Sequence, residues 1–125
     1  MIQKLMLLAL AGALGTLARY WVAGLVYGIK GAASPWGTAA VNLIGCFLAG
    51  LLWVLFESRW PVYGETRVLV LVGFMGAFTT FSAFILDTGE LLRSAGWMHA
   101  AANVAMQNVF GVVALFLGVM LGRMV

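Results

Sequence analysis

Four stretches of this chain are each long and apolar enough to cross a bilayer, and together they use most of its length. They run over about residues 4–27, 35–56, 67–92 and 99–121. A spanning helix needs about 20 predominantly apolar residues. Within lipid every backbone N–H and C=O must be satisfied inside its own segment, so each stretch reads as a helix. Pro35 suits the first turn of the second one. The connections, residues 28–34, 57–66 and 93–98, are short. Consecutive helices are therefore antiparallel neighbours, with no room for a soluble domain. The expected architecture is an all-α integral membrane protein, with residues 1–125 forming one four-helix transmembrane domain.

Charge supports this class. Only 9% of residues are charged, against roughly 25% in soluble domains. Seven Lys and Arg outnumber four Asp and Glu, but they cluster at segment ends. That pattern anchors loops at a lipid surface rather than gripping nucleic acid. With both termini on one side, Lys4, Arg59, Arg67 and Arg123 share that side, and Lys30 and Arg93 lie opposite. Arg19, inside the first span, is left out of the comparison. The bias is weak, mildly favours termini inside, and is compatible with insertion in both orientations and an antiparallel dimer. Residues 1–15 resemble a signal peptide, with Lys4, an apolar run and Ala11-Gly12-Ala13. The apolar run continues past Arg19 to Val26, so we read a retained span. Cys46 is the only cysteine. It reads as a small packing residue, with no intrachain disulfide or cysteine metal site open to it.

The third stretch departs from the other three. At its centre lies Gly73-Phe-Met-Gly-Ala-Phe-Thr-Thr-Phe-Ser-Ala-Phe84, which brings glycines, threonines and a serine to bilayer depth. The stretch is also longer than a straight span by about a turn or two. Two half-helices separated by a break near Thr79 and Thr80 account for both facts, and freed backbone groups at such a break can coordinate ions. One tilted helix with small residues at a packing seam is the alternative.

Several other side chains stand out. Thr38 and Asn42 are one turn apart and share a helix face. Asn42 serves either as an interhelical hydrogen bond or as a donor lining a pore. Gln107 and Asn108 are adjacent, about 100° apart, so one of them faces a path and the other a partner helix. Asn103 reads as interfacial. Phe81 and Phe84, with Phe78 one turn earlier, are either packing residues or aromatic edges turned to an anion, since the ring edge carries the positive part of the quadrupole. Arg19 either snorkels to the interface or borders an anion-attracting vestibule. Asp87, Glu90 and Arg93 follow at helical spacing. Asp87 is the deepest of them and a vestibule candidate, with interfacial pairing as the bland reading. His99 reads as an interface anchor. Gly24 with Gly28, and Gly118 with Gly122, are GxxxG pairs, and Gly45 with Ala49 has the same small-residue spacing. No nucleophile–base pair, phosphate loop or His/Cys/carboxylate cluster is present, so the chain does not read as an enzyme.

Taken in order, three motifs resemble the Fluc (CrcB) family of bacterial fluoride channels. They are Gly12-Ala-Leu-Gly15-Thr-Leu-Ala-Arg19-Tyr20, then Trp36-Gly37-Thr38 through Asn42-Leu43-Ile44-Gly45, then the Gly73–Phe84 block. The resemblance covers the whole chain. It implies a fluoride-selective passive channel in the bacterial inner membrane, built as an antiparallel dual-topology homodimer with two pores. It further implies a structural Na+ at the dimer interface, held by the backbone carbonyls of Gly76 and Thr79. The pore positions carried over are Phe81, Phe84, Asn42, Thr38, Ser82, Thr80 and Asn108, with Arg19 and Asp87 at the vestibule. The partners implied are fluoride, a second copy of the chain and membrane lipid, with no nucleic acid. The chain departs from the family at Gly76-Ala77-Phe78, where many members have Gly-Gly-Leu. It also departs at Ile85-Leu86-Asp87, where Ser-Ala-Glu is usual, and at Val104, where some have tyrosine. A small proton-coupled multidrug exporter is the competing reading, but its first helix needs a carboxylate that this first span lacks. A purely structural membrane subunit would leave the Thr-Thr-Phe-Ser block unexplained.

Overall fold

The computed structural model describes residues 1–31, 35–59 and 64–125. Residues 32–34 and 60–63, within two of the expected connections, lie outside the described residues. Four helical stretches are long and apolar enough to cross a membrane: Ile2–Lys30, Trp36–Ser58, Glu65–Ser94 and Trp97–Met124. They extend the expected spans by up to about a turn, except that the second begins at Trp36, one residue after the expected Pro35. The described residues form helices and turns and no strand.

The first helix, α1, is continuous over Ile2–Lys30. The second, α2 (Trp36–Val54), runs on into a π-helical turn, Leu55–Arg59. The third stretch is built in pieces. A short α3 (Glu65–Val68) leads through a π-helical segment (Leu69–Phe74) to α4 (Met75–Phe78). Thr79 and Thr80 are extended, and α5 then runs over Phe81–Ser94. The last helix, α6, covers Trp97–Met124. Only Ala95 and Gly96 separate α5 from α6, a tighter turn than the sequence suggested. Gly96 makes it possible by adopting φ 91°, a region that a side chain disfavours.

Packing is inverted relative to a soluble protein. The outside carries the large apolar residues: Leu10, Leu14, Leu17, Trp21 and Leu25 on α1, and Phe110, Phe116 and Leu117 on α6, are all exposed. The inside combines a few large residues, such as Met75, Phe78 and Phe84, with many small ones. On α2 the buried set is Gly37, Thr38, Ala39, Val41, Gly45 and Gly50. Lipid removes the usual hydrophobic drive between helices, so close backbone contact takes its place. The most extensive contact joins α2 to α6. A Cβ placed on Gly50 would lie 2.1 Å from the Leu115 carbonyl oxygen, and one on Gly118 would lie 2.0 Å from that of Phe47. On the other side of the bundle α1 meets the π-helical segment, and a Cβ on Gly15 would lie 2.2 Å from the Phe74 carbonyl oxygen. The two expected GxxxG pairs separate here. Gly118 and Gly122 pack on α2, whereas Gly24 and Gly28 meet no other helix among the described residues within 4 Å of a Cβ position.

The ion pairs among the described residues lie at one end of the bundle. Lys4 pairs with Glu65, and Arg67 lies 3.9 Å from Glu57. Both pairs are exposed enough to contribute little stability. Asp87, Glu90 and Arg93 form no pair with one another, contrary to the bland expectation for them.

Candidate functional site

The backbone leaves helical geometry at two residues. Thr79 has φ −80° and ψ 159°, and Thr80 has φ −149° and ψ 113°. An interruption in an apolar setting strands peptide groups, and each stranded group is costly unless it finds a partner. Here the partners come from side chains. Asn42, reaching across from α2, accepts from the Thr80 N–H through Oδ1 at 2.9 Å and donates from Nδ2 to the Thr80 carbonyl at 3.1 Å. The side-chain amide thus pairs with Thr80 as one peptide group pairs with another across a sheet. Thr80 in turn caps α5, its Oγ1 accepting from the Ala83 N–H at 3.2 Å. Thr79 closes α4: its N–H and its hydroxyl both donate to the Met75 carbonyl at 3.0 Å.

These caps redirect two particular donors. In an unbroken helix the Thr80 N–H would bind the Gly76 carbonyl and the Ala83 N–H would bind the Thr79 carbonyl. Both N–H groups go elsewhere, which leaves the Gly76 and Thr79 oxygens free of their usual helical partners. Gly76 is exposed and has nothing within 4 Å of a Cβ position, while Gly45 of α2 lies directly against the Thr79 methyl. A groove of about 400 Å³ opens here, lined by Asn42, Cys46, Gly76, Thr79, Thr80 and Phe81 among others. Neutral carbonyl oxygens presented at a groove suit a hard cation.

The remaining predicted residues distribute as follows. Phe81 is 75% exposed, whereas Phe84 is buried. Their rings lie 5.6 Å apart at 51°, and Phe81 borders the groove. Ser82 is exposed, with its hydroxyl 3.2 Å from that of Thr80. Thr38 is buried one turn before Asn42 on α2. Arg19 is half-buried on α1. Asp87 is half-buried on α5, and its Oδ2 is buried without a hydrogen-bond partner.

Asn42 is more heavily committed than a pore donor needs to be. Its Nδ2 serves Gln107 Oε1 at 3.1 Å as well as the Thr80 carbonyl. An amide nitrogen has two hydrogens, so both are engaged within the chain. The sequence could not decide between Gln107 and Asn108, and the structure separates them. Gln107 is buried and joined to Asn42. Asn108 is exposed, and its Nδ2 donates to the Val104 carbonyl of its own helix. Asn103, read from sequence as interfacial, is buried instead. It accepts from Gln107 Nε2 at 3.1 Å and donates to Thr88 Oγ1 at 2.9 Å. The one available signal was the spacing of four between Asn103 and Gln107, which places two amides on one helix face.

A family model described as "CrcB-like protein, Camphor Resistance (CrcB)" matches residues 6–119. The chain belongs to the CrcB-like family. Among its CrcB-like relatives is a protein of Desulforapulum autotrophicum named "Fluoride-specific ion channel FluC", 58% identical over 98% of each chain. Proteins of the same name from Solidesulfovibrio magneticus and Nitrosococcus oceani are 51% identical over the whole of both chains and 50% identical over 98% of each. The family match covers the Thr79–Thr80 interruption and all of the helical bundle except the outer ends of α1 and α6.

Proposed function

We propose that this chain is a fluoride-selective passive channel that lets cytoplasmic fluoride leave down its electrochemical gradient. The observation that carries the reading is identity of up to 58% with fluoride-specific channels along virtually the entire chain, with no insertion large enough to hold another activity. Fluoride is small and strongly hydrated, so a pore must replace its water with good donors that do not trap it. Ser82, Thr80, Thr38 and Asn108 are neutral donors, and Asn42 lines the groove. Phe81 and Phe84 offer ring edges, which attract an anion weakly. A narrow path lined this way disfavours larger halides. Arg19 and Asp87 border the approach, with the Arg19 charge drawing anions toward it.

The reading places the Thr79–Thr80 interruption at the middle of the membrane and a second, inverted copy of the chain against the groove, giving an antiparallel dimer with two pores. Exposed Gly76, exposed Phe81 and exposed Asn108 support it, since all three are unpacked within one chain. It also places a structural Na+ at the dimer axis, held by the Gly76 and Thr79 carbonyls. The redirected Thr80 and Ala83 N–H groups support that site, and the ion would supply positive charge that neutralises facing carbonyl dipoles. The location is the bacterial inner membrane. The biological sense is detoxification: HF crosses membranes as a neutral acid, ionises inside, and leaves fluoride needing an exit.

A proton-coupled exporter is not favoured, because α1 carries no acidic residue. Reconstitution into liposomes decides the matter. With a fluoride gradient the protein should release fluoride and, under matched conditions, no chloride. Equal release of both ions, or of neither, would sink the proposal.

A further inference from the structure

Behind Asn42 runs a single file of buried or half-buried polar side chains that the pore reading does not use. Gln107 Nε2 donates to Asn103 Oδ1, Asn103 Nδ2 donates to Thr88 Oγ1, and the Thr88 hydroxyl donates to the Phe84 carbonyl at 2.7 Å. The file links α2, α6 and α5, and both its ends are backbone of the third span, Thr80 at one and Phe84 at the other.

Its direction is fixed. A carbonyl only accepts, so the Thr88 proton must go to Phe84, and the Thr88 oxygen is left to accept from Asn103. That sets the Asn103 amide with its oxygen toward Gln107, and therefore sets Gln107 with Oε1 toward Asn42. Asn42 must then turn Nδ2 to Gln107. At the far end the Thr80 N–H only donates and the Thr80 carbonyl only accepts, which demands the same orientation of Asn42. The two ends agree, so the file has one arrangement and no competing one. A buried network satisfied in this way is rigid, and losing one member exposes the full cost of its unpaired neighbours.

We propose that Gln107 is a positioning residue: held by Asn103 and Thr88, it locks the Asn42 amide against Thr80 and so fixes the interruption between α4 and α5. Without Gln107, Asn42 is held by its two bonds to Thr80 alone. With Gln107 behind it, Asn42 presents Oδ1 to the Thr80 N–H, and that N–H stays away from the Gly76 carbonyl. The bearing of this brace on conduction rests on the fluoride-channel reading. The brace itself does not.

The test is residue-resolved amide hydrogen exchange on the full-length protein, paired with fluoride efflux from liposomes. Gln107→Met keeps length and volume but neither accepts nor donates usefully. It should speed exchange at Thr80 about three- to tenfold, the worth of roughly one internal hydrogen bond, while amides at the α2–α6 contact around Leu115 and Gly118 stay protected. Thr88→Val, which keeps shape at the opposite end of the file, should move Thr80 in the same direction. It carries the test alone if the methionine variant fails to fold. Gln107→Glu at about pH 5, where a buried carboxyl is held neutral, restores an acceptor and a donor and should return Thr80 to wild-type protection. Unchanged exchange at Thr80 in the methionine and valine variants overturns the proposal, and so does an equal rise across every helix. Faster exchange at Thr80 with undiminished fluoride efflux overturns its link to conduction. Absence of fluoride efflux in the wild type counts against the channel reading alone, because Thr80 exchange reports on the brace regardless.

Discussion

Phe81 and Phe84 show how one residue type divides into two tasks by position. Both lie in the first turn of α5, yet Phe84 is buried and Phe81 is 75% exposed. In the fluoride-channel reading, the exposed ring edge of Phe81 faces the ion path. Phe81→Ile removes the ring edge and keeps an apolar side chain, so the fold should survive. Fluoride efflux should drop about tenfold, equivalent to roughly 1.4 kcal/mol at the barrier; liposome flux against wild type at equal protein content measures it. Glycines act at the same scale. Gly118→Val drives a side chain into the Phe47 carbonyl and should destabilise the α2–α6 contact by about 1–3 kcal/mol. A thermal unfolding curve in detergent, read beside an exposed control such as Val113→Leu, should show the loss for Gly118 alone.

The third span is the element where local and tertiary forces meet. Its pieces, α3, the π-helical segment, α4 and α5, follow one another with only Thr79 and Thr80 non-helical. Thr80 serves both directions, capping α5 with its hydroxyl and pairing with Asn42 through its backbone. Thr80→Ala removes the cap and the contact with the Ser82 hydroxyl, and leaves the backbone pairing with Asn42 in place. The expected cost is about 1 kcal/mol, and Thr80→Ser should recover most of it. Exchange at Ala83, whose N–H the cap receives, distinguishes the two variants. The glycine and threonine content near Thr79 marks this element in the sequence. The partner that stabilises it did not show, because Asn42 and Thr80 are 38 residues apart and Gln107 lies 65 residues beyond Asn42. Helical periodicity reports which face a residue occupies and is silent on which helix that face meets.

At the scale of the whole molecule, the few charges carry the orientation. Four basic residues against two across the membrane is too small an excess to enforce one topology. If both orientations insert, a cysteine appended after Val125 in a Cys46→Ala background should react with an impermeant thiol reagent in about half of the chains in intact spheroplasts, as a balanced positive-inside signal predicts. Adding two lysines beside Arg123 should shift that fraction strongly to one side. Labelling of all chains or of none in the unmodified protein would remove the dual-topology reading.

Length and hydropathy by themselves determined four membrane-spanning helices and an antiparallel order, because lipid permits few other backbone states and short connections permit few other arrangements. The ordered motifs pointed to the family, and the Gly73–Phe84 block located the interruption within a residue or two. Tertiary structure alone decided how the interruption is held. It turned Gln107 inward and Asn108 outward, buried Asn103, and committed both amide hydrogens of Asn42. The physical reason is that spanning is a property of each segment's own composition. The pairing of a buried amide is a property of whichever helix packs against it.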